Sequence, residues 1–332
     1  MGTVGLVFLV AVALVFDFTN GFHDAANAVA TSISTRAMRP FTALGMAAAL
    51  NVVGALVSTK VAQTVGSGII SVSNGTHGLV VVFAALIGAI MWNLLTWWLG
   101  LPSSSTHALI GGLVGAALGA ADTVKWAGLL DKVVLPMALS PVIGFLLGYL
   151  LMVAILWAFR HARPAPVNRR FRWAQIGSTA AMSYSHGTQD AQKTMGVITL
   201  ALVATGHLGS FHVPLWVILA AASAMGFGTL AGGWRVIRTL GSRITTLDPP
   251  RGFAAQTSAS AVLLFSAYVY AMPVSSTHVM TSSIMGVGAT RRLSAVRWGV
   301  AQDVVLAWVL TIPGAALSAW VVYQLVHTVV GV

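Results

Sequence analysis

Long apolar stretches recur along the whole chain, and they restrict its possible folds more than any other feature. Several of them exceed about 18 residues with few or no charges, which is the length of a helix that spans a bilayer. A mean hydropathy of +0.86 over 332 residues has no counterpart among soluble globular domains. The sequence therefore predicts an all-α, polytopic protein of the lipid bilayer, in which helices satisfy their own backbone groups.

The arginines are confined to four clusters, which begin at Arg36, Arg160, Arg235 and Arg291. In a soluble domain the net charge of +11 would suggest nucleic acid, but these clusters lie between apolar runs and no aromatic-plus-basic module accompanies them. We therefore expect no nucleic-acid partner. The positive-inside rule instead places the basic loops in the cytoplasm of a multi-pass protein of the inner (plasma) membrane of the cell.

Ten crossings satisfy this rule, with an equal share in each half of the chain. We predict them at 4–35, 41–59, 78–99, 103–121, 133–159, 173–205, 213–231, 252–271, 272–290 and 298–326. Because each half then crosses an odd number of times, the second half is inverted relative to the first. The first segment of each half exceeds the roughly 20 residues that a straight spanning helix needs, so we expect both to be broken helices.

Two motifs recur in the same order in the two halves. The first, "TNGFHDAANAVAT" (19–31), aligns without gaps with "SHGTQDAQKTMGV" (185–197). The second, "LPSSSTHALIGGLVG" (101–115), aligns with "MPVSSTHVMTSSIMG" (272–286). A duplicated pair of motifs in inverted halves is the plan of secondary transporters, which build a midplane site from broken or re-entrant helices.

The motifs and the crossings together predict the division of the chain. We expect a first inverted repeat at 1–159, a basic cytoplasmic linker at 160–172 and a second inverted repeat at 173–332. Each repeat would contribute about five membrane segments, and the two would meet at the site.

The repeat selects two of the seven acidic residues, because Asp24 aligns with Asp190. A carboxylate inside a membrane costs at least about 2.5 to 3.5 kcal/mol on insertion scales, so it marks a functional site by default. The alternative is that both aspartates only cap the free N–H groups of broken helices. Asp17 and Asp303 have no repeat partner, and they fit either a packed polar bridge or a proton or cation relay.

The "PSSSTH" and "PVSSTH" segments predict two anion cradles at helix starts. Proline fits the first turn of a helix, and the hydroxyls that follow lie beside free N–H groups at the positive end of the dipole. Hydroxyls of one copy could simply pack helices together, but duplication favours a site for a small tetrahedral oxyanion. The predicted substrate-binding residues are Ser104, Ser105, Thr106, Ser275, Ser276, Thr277, Asp24 and Asp190.

Polar residues around these motifs are predicted to support the site. They are Asn20, His23, His107, His186 and His278, although each histidine also fits ordinary packing. The chain has no cysteine and no H-E-x-x-H or similar metal spacing. We therefore expect neither a fixed metal site in the protein nor a resident cofactor.

Two other classes of function fit these features less well than a transporter. A passive anion channel needs a continuous polar pore, in which inward-facing aspartates would repel the anion. A hydrolase needs an ordered triad, which neighbouring Ser and His at a helix start do not provide, and no G-x-S-x-G elbow occurs. We therefore do not expect an enzyme.

The paired motifs resemble the inorganic phosphate transporter (PiT) family, whose members carry a G-x-N-D-x-A-N signature in each half. It stands here as "GFHDAANAVAT" and "GTQDAQKTMGV", and the first copy looks closest to the bacterial low-affinity Pit branch. The resemblance implies uptake of inorganic phosphate by symport, often as a neutral complex with a divalent metal such as Mg²⁺, together with protons. It also implies a homodimer.

The resemblance also implies a coupling-ion site, and here this chain departs from the family. The predicted residues of that site are Asp24, Asn27, Gln189, Asp190 and Lys193. His23 and Gln189 replace the usual Asn before each Asp, and Lys193 stands at the position equivalent to Asn27. An ammonium there can fill a cation site permanently or load and lose a proton, which favours proton coupling. Sodium-coupled phosphate transport and sulfate transport are the alternatives.

Overall fold

The computed structural model describes residues 2–73 and 75–330, and helices make up almost all of it. The first half contains α1 (Gly2–Ser34), α2 (Pro40–Val57), α3 (Lys60–Gly68), α4 (Thr76–Leu99), α5 (Ser105–Gly119) and α6 (Trp126–Ala158). The second half contains α7 (Pro164–Ala204), α8 (Leu215–Ala231), α9 (Trp234–Arg243), α10 (Pro249–Tyr270), α11 (Ser276–Ala289) and α12 (Trp298–Val330). The strands β1 (Ile70–Ser71) and β2 (Thr123–Val124) form one short antiparallel pair.

Every predicted membrane segment has a helix. Among the described residues, six helices (α1, α2, α4, α6, α10 and α12) are long and apolar enough to cross a membrane, and the α8–α9 pair, bent by 60°, is a seventh candidate. The remaining segments are α7, which is long but carries a polar middle, and two short helices, the apolar α5 and α11. The prediction of an all-α polytopic protein is confirmed.

The two halves pack with matching sets of helix contacts. Helix α2 packs against α7, and the equivalent pair is α8 against α1. Helix α5 packs against α12, and the equivalent pair is α11 against α6. Helix α4 packs against α1, and the equivalent pair is α10 against α7. Each helix therefore has a counterpart six labels later, as a pseudo-two-fold relation between inverted repeats requires.

The arginine clusters share one end of the bundle. Ser34, at the end of α1, lines the same cavity as Arg238 of α9. The ring of Phe171, beside the second cluster, packs on the ring of Phe253 near the start of α10. Arg291 donates to Asp248, one residue before α10, at 3.3 Å. All four clusters thus gather at a single end, which we call the arginine end.

The prediction that the segments 4–35 and 173–205 are broken is wrong, because α1 and α7 are continuous α-helices. Helix α7 accommodates its 41 residues by starting at Pro164, within the basic stretch before the apolar part. The breaks lie instead between α2 and α3 and between α8 and α9, where Gly232 adopts a positive φ of 69°. The polar side chains of α1 and α7 find partners on neighbouring helices, so their own backbones need not unwind.

Re-entrant segments occur at α5 and α11. These helices have 15 and 14 residues. At 1.5 Å per residue either is about 22 Å long, less than the roughly 30 Å of a bilayer's hydrocarbon core. The loops 101–104 and 272–275 are extended and lead into each helix inside the protein. Their carbonyls are paired there, since Trp308 Nε1 donates to Pro102 O at 2.9 Å and Gln189 Nε2 to Met272 O at 3.4 Å.

Glycines that the repeat relates allow the long helices to approach closely. A Cβ added at Gly187 of α7 would overlap the backbone oxygen of Asn51 in α2, and one at Gly21 of α1 would overlap that of Met225 in α8. Small residues at such crossings let helix backbones touch, which is how membrane helices gain packing energy. These two crossings hold α1 and α7 at the centre of the bundle.

We predict that Gly187→Ala destabilises the protein, because the added methyl group must push α2 away from α7. Overpacking of this kind costs about 1 to 3 kcal/mol. The matched control is Gly177→Ala on the same helix, where an added Cβ meets nothing within 4 Å. Thermal stability in detergent, followed by size-exclusion chromatography after heating, should fall for the first variant only. Equal melting temperatures would contradict the close crossing of α2 and α7.

Candidate functional site

The candidate site lies where α1 and α7 meet the first turns of α5 and α11. Asp24 of α1 and Asp190 of α7 come from different repeats, and Ser105 and Ser276 stand at the starts of the two short helices. Each of these four side chains is at most 2 % exposed. The site is therefore built by both repeats and is enclosed by protein.

The Asp24 carboxylate receives donors from both repeats. Ser105 Oγ donates to Asp24 Oδ2 at 2.7 Å, and Thr277 Oγ1 donates to Oδ1 at 3.3 Å. His23 Nδ1 lies 2.7 Å from the same Oδ1. Because α1 is continuous here, Asp24 has no free helix N–H group to cap, which excludes the purely structural alternative of a capping residue.

The Asp190 carboxylate is surrounded in the same way but with more positive charge. Ser276 Oγ donates to Asp190 Oδ2 at 2.9 Å, and His186 Nε2 lies 2.7 Å from that oxygen. Lys193 Nζ lies 2.8 Å from Oδ1. A buried carboxylate and a buried ammonium thus form a direct ion pair, which avoids the cost of leaving either charge alone.

Asn27 and Lys193 occupy equivalent positions across the repeat and reach equivalent hydroxyls. Asn27 Nδ2 donates to Ser276 at 3.3 Å and to Thr277 at 2.9 Å. Lys193 Nζ donates to Ser105 at 2.9 Å and to Thr106 at 3.0 Å. Each side chain therefore ties one long helix to the short helix of the other repeat, and one of the two ties carries a charge.

The hydroxyls of each predicted cradle divide into two roles. Ser104 Oγ accepts from the backbone N–H of His107 at 3.2 Å, and Ser275 Oγ accepts from that of His278 at 3.1 Å, so both cap their own helices. The next two hydroxyls of each helix contact site residues instead, since Ser105, Ser276 and Thr277 donate to the carboxylates and Thr106 accepts from the Lys193 ammonium. A shift of one residue thus separates the capping hydroxyls from those that could reach a ligand.

Gln189 and its equivalent His23 contact the loops that precede the short helices. Gln189 Nε2 donates to Leu263 O at 3.1 Å, and its Oε1 accepts from Val274 N at 3.4 Å, so its amide is used on α10 and the loop after it. His23 reaches Asp24 with Nδ1 and places Nε2 3.3 Å from Thr96 of α4 and 3.5 Å from Ser103 of the loop. Successive helix residues point about 100° apart, which is why Gln189 faces α10 while Asp190 faces the centre.

The remaining supporting residues lie at three different places. The rings of His107 and His278 are 4.8 Å apart, and His278 stacks on Trp308 at 4.0 Å. Neither ring reaches the hydroxyls in the described part of the chain, so both pack the two short helices against each other. His186 lies in the site and also contacts Asn51 at 3.3 Å, a residue that the motifs did not indicate. Asn20 lies one helical turn before Asp24.

Three side chains could share one cation. Ligand atoms of Asp24, His186 and Asp190 all lie within 4.8 Å of one another. The sequence predicted no fixed metal site, because metal spacing is searched along the chain and these ligands come from helices of different repeats. The ammonium of Lys193 beside Asp190 already supplies one positive charge, so a further cation here would belong with an anionic ligand rather than stay permanently bound.

Inverted repeats, re-entrant half-helices and an enclosed cluster of carboxylates and hydroxyls define a membrane transporter for a small ion. The chain matches the phosphate transporter family over residues 20–170 and 158–319. The chain belongs to this family, as its paired motifs predicted, and it is a phosphate transporter.

Individual relatives and a solved structure agree with this assignment. The chain is 50% identical to the "Probable low-affinity inorganic phosphate transporter" of Rhizobium meliloti (strain 1021). This match extends over 322 residues, which are 96% of this chain and 95% of the relative. It is 43% identical over 326 residues, 97% of each chain, to the protein so described in Bacillus subtilis (strain 168). A solved structure described as "The sodium-dependent phosphate transporter" matches with a TM-score of 0.90 at 25% identity, over 98% of this chain and 100% of that one.

We predict that Ser276→Ala mainly weakens phosphate binding, whereas Ser275→Ala mainly lowers the stability of the protein. Removing the Ser276 hydroxyl takes a donor from the site and should raise the KM for phosphate by the equivalent of about 1 to 3 kcal/mol. Removing the Ser275 hydroxyl takes away a helix cap and should cost about 0.5 to 2 kcal/mol of stability, with a smaller effect on KM. Uptake kinetics and melting temperature of both variants check this division, which fails if the two variants behave alike.

Proposed function

We propose that this protein is a secondary active symporter that takes up inorganic phosphate as a neutral complex with a divalent metal such as Mg²⁺, coupled to protons. The observation that carries the proposal is the mixed charge of the site. Two carboxylates, Asp24 and Asp190, lie among hydroxyls and one ammonium, that of Lys193. Such a set offers ligands to a cation and to an oxyanion at the same time.

Electrostatics disfavour a free phosphate dianion in this cluster. The two carboxylates carry one more unit of charge than the Lys193 ammonium offsets, and each pair of unit charges about 4 Å apart contributes about 4 kcal/mol at an effective dielectric constant of 20. A divalent metal hydrogen-phosphate complex is neutral and escapes this repulsion. Asp24, Asp190 and His186 would hold its metal, since their ligand atoms lie within 4.8 Å of one another. Its phosphate oxygens would accept from the hydroxyls of α5 and α11.

The position of Lys193 supports proton rather than sodium coupling. Its ammonium lies within 3.0 Å of three oxygens, those of Asp190, Ser105 and Thr106, as a small bound cation would. A tethered cation there already fills the place between Asp190 Oδ1, Ser105 and Thr106 that a coupling sodium ion would take. Sodium coupling is the alternative that the similar solved structure suggests, since that protein is described as sodium-dependent.

The proposal also covers the membrane that holds the protein, the orientation of the protein in it, and its oligomeric state. We place the protein in the plasma membrane with its arginine end in the cytoplasm, because basic loops are retained on that side. We further propose a homodimer, which rests on the family resemblance.

Uptake into proteoliposomes tests the proposed function. Radiolabelled phosphate should accumulate when a proton gradient is imposed, should require Mg²⁺, and should not be displaced by excess sulfate. Protein-free liposomes and the Asp190→Asn variant, which lacks one of the two carboxylates, provide the background. Uptake that follows a sodium gradient and ignores a proton gradient would contradict proton coupling, and uptake that is indifferent to Mg²⁺ would contradict the metal complex.

We predict that Lys193→Asn, which restores the residue found at the equivalent position of the first repeat, weakens the response to protons and creates a response to sodium. The neutral amide leaves the oxygens of Asp190 and Ser105 without their cation, so a sodium ion can enter. Initial uptake rates under each imposed gradient measure the change.

The matched control for this variant is Lys60→Asn, since Lys60 is exposed on α3. It should retain the wild-type response to both gradients. If Lys193→Asn also behaves like the wild type in both gradients, Lys193 is only a counter-ion of Asp190 and does not replace a coupling cation.

A further inference from the structure

Asp17 of α1 is a second buried carboxylate, and it lies outside the cluster described above. Its side chain is 0 % exposed, and neither of its oxygens accepts a hydrogen bond of ordinary length and angle within residues 2–73 and 75–330. The side chains of Asn20 and Thr194 lie beside it as loose hydrogen-bond partners, and in that part of the chain they too are buried with no well-formed hydrogen bond. An ionised carboxylate with no cation and only such loose donors is very costly in these surroundings.

Few charged groups face this carboxylate. The titratable side chains that act on Asp17 from the packed helices are Lys193 and Asp190, both on α7. Helices α2 and α8 contain no titratable residue, and α4 has only His77, near its start. The arginines of α9 and α10 belong to the arginine end, and His278 of α11 stacks on Trp308. Asp17 therefore has no ion-pair partner of its own among the described residues.

We propose that Asp17 carries the coupling proton, and that Asn20 and Thr194 hold its carboxyl group in both protonation states. The inference deepens the proposed function, since it rests on proton coupling and names the residue that provides it. An amide and a hydroxyl can each donate or accept a hydrogen bond. Asn20 and Thr194 can thus accept a hydrogen bond from the protonated carboxyl group and donate one to the carboxylate. A site that always holds the same charge would not need partners that can do both.

The backbone around Asp17 favours a proton over a metal ion. Sodium sites in transporters draw ligands from unwound backbone carbonyls, but α1 and α7 are continuous helices at this point, so their carbonyls are engaged in helix hydrogen bonds. Asp17, Asn20 and Thr194 alone offer too few oxygens to replace the hydration shell of a metal ion. A proton needs only one of these oxygens.

The position of Asp17 suits a carrier between the membrane surface and the site. It precedes Asp24 by two turns of α1, about 10 Å, on the side away from the arginine end. In each cycle Asp17 would take a proton from water that reaches it from that far end, and its O–H bond would break again when the proton passes to water that enters the site from the arginine end. Lys193 attracts the carboxylate that remains, which links release of the proton to the charges of the site.

Proton movement and phosphate exchange, measured in the same proteoliposomes, test the inference. A pH-sensitive dye in the lumen reports acidification when phosphate and Mg²⁺ are added outside. Exchange of external labelled phosphate for internal unlabelled phosphate reports binding and carrier movement without net proton transfer. The variants are Asp17→Asn, Asp17→Glu and, as a control, Asp303→Asn, whose side chain is exposed on α12.

We expect Asp17→Asn to lose acidification to the level of protein-free liposomes while exchange continues, and Asp17→Glu and Asp303→Asn to keep both. Infrared difference spectra on addition of phosphate should show a carboxylic-acid C=O band in the wild type that Asp17→Asn lacks. Unchanged acidification in Asp17→Asn would overturn the inference and leave proton coupling intact. Loss of acidification and exchange in both Asp17 variants would overturn it in favour of a packing role. A wild type that does not acidify the lumen would overturn proton coupling and the inference together.

Discussion

A carboxylate at the centre of a membrane protein must find donors or a cation, and this requirement organises the whole fold. Asp24 and Asp190 are fully enclosed, yet each accepts a hydroxyl hydrogen bond from the first turn of a short helix. Helices α5 and α11 can bring those hydroxyls to the middle of the bundle only by starting there. The extended loops that precede them follow from that demand, and they are tolerated because protein, not lipid, surrounds them.

The repeats are equivalent in backbone and unequal in charge. Helix contacts, glycine crossings and the paths of the re-entrant loops all recur in both halves. Asn27 and Lys193 then make matching contacts with matching hydroxyls, one through an amide and one through an ammonium. The duplicated fold thus provides two similar sets of contacts, and a single residue gives one of them a positive charge.

Repeat alignment predicted much of the architecture and of the site, because residues that align between inverted repeats converge at the axis that relates them. It identified Asp24, Asp190 and both hydroxyl segments without any structure. It did not predict that α1 and α7 stay continuous, since length alone does not show where partners for polar groups lie. It did not separate Ser104, a cap, from its neighbour Ser105, a donor to Asp24. That difference depends on where the helix begins, which is resolved only by its dihedral angles.

The contacts that close the site involve charged groups on both sides. Separating α11 from α1 would break the hydrogen bonds of the Asn27 amide and the bond from Thr277 to the Asp24 carboxylate, whereas separating α5 from α7 would break two bonds of the Lys193 ammonium. Hydrogen bonds with an ionised partner are roughly twice as strong as neutral ones, so either separation is costly unless another group satisfies these partners. Phosphate oxygens can accept from the ammonium and from the hydroxyls that such a separation would leave unpaired. A ligand changes the conformation of a protein only through such a difference in interaction free energy between its states, and these contacts are where that difference can arise.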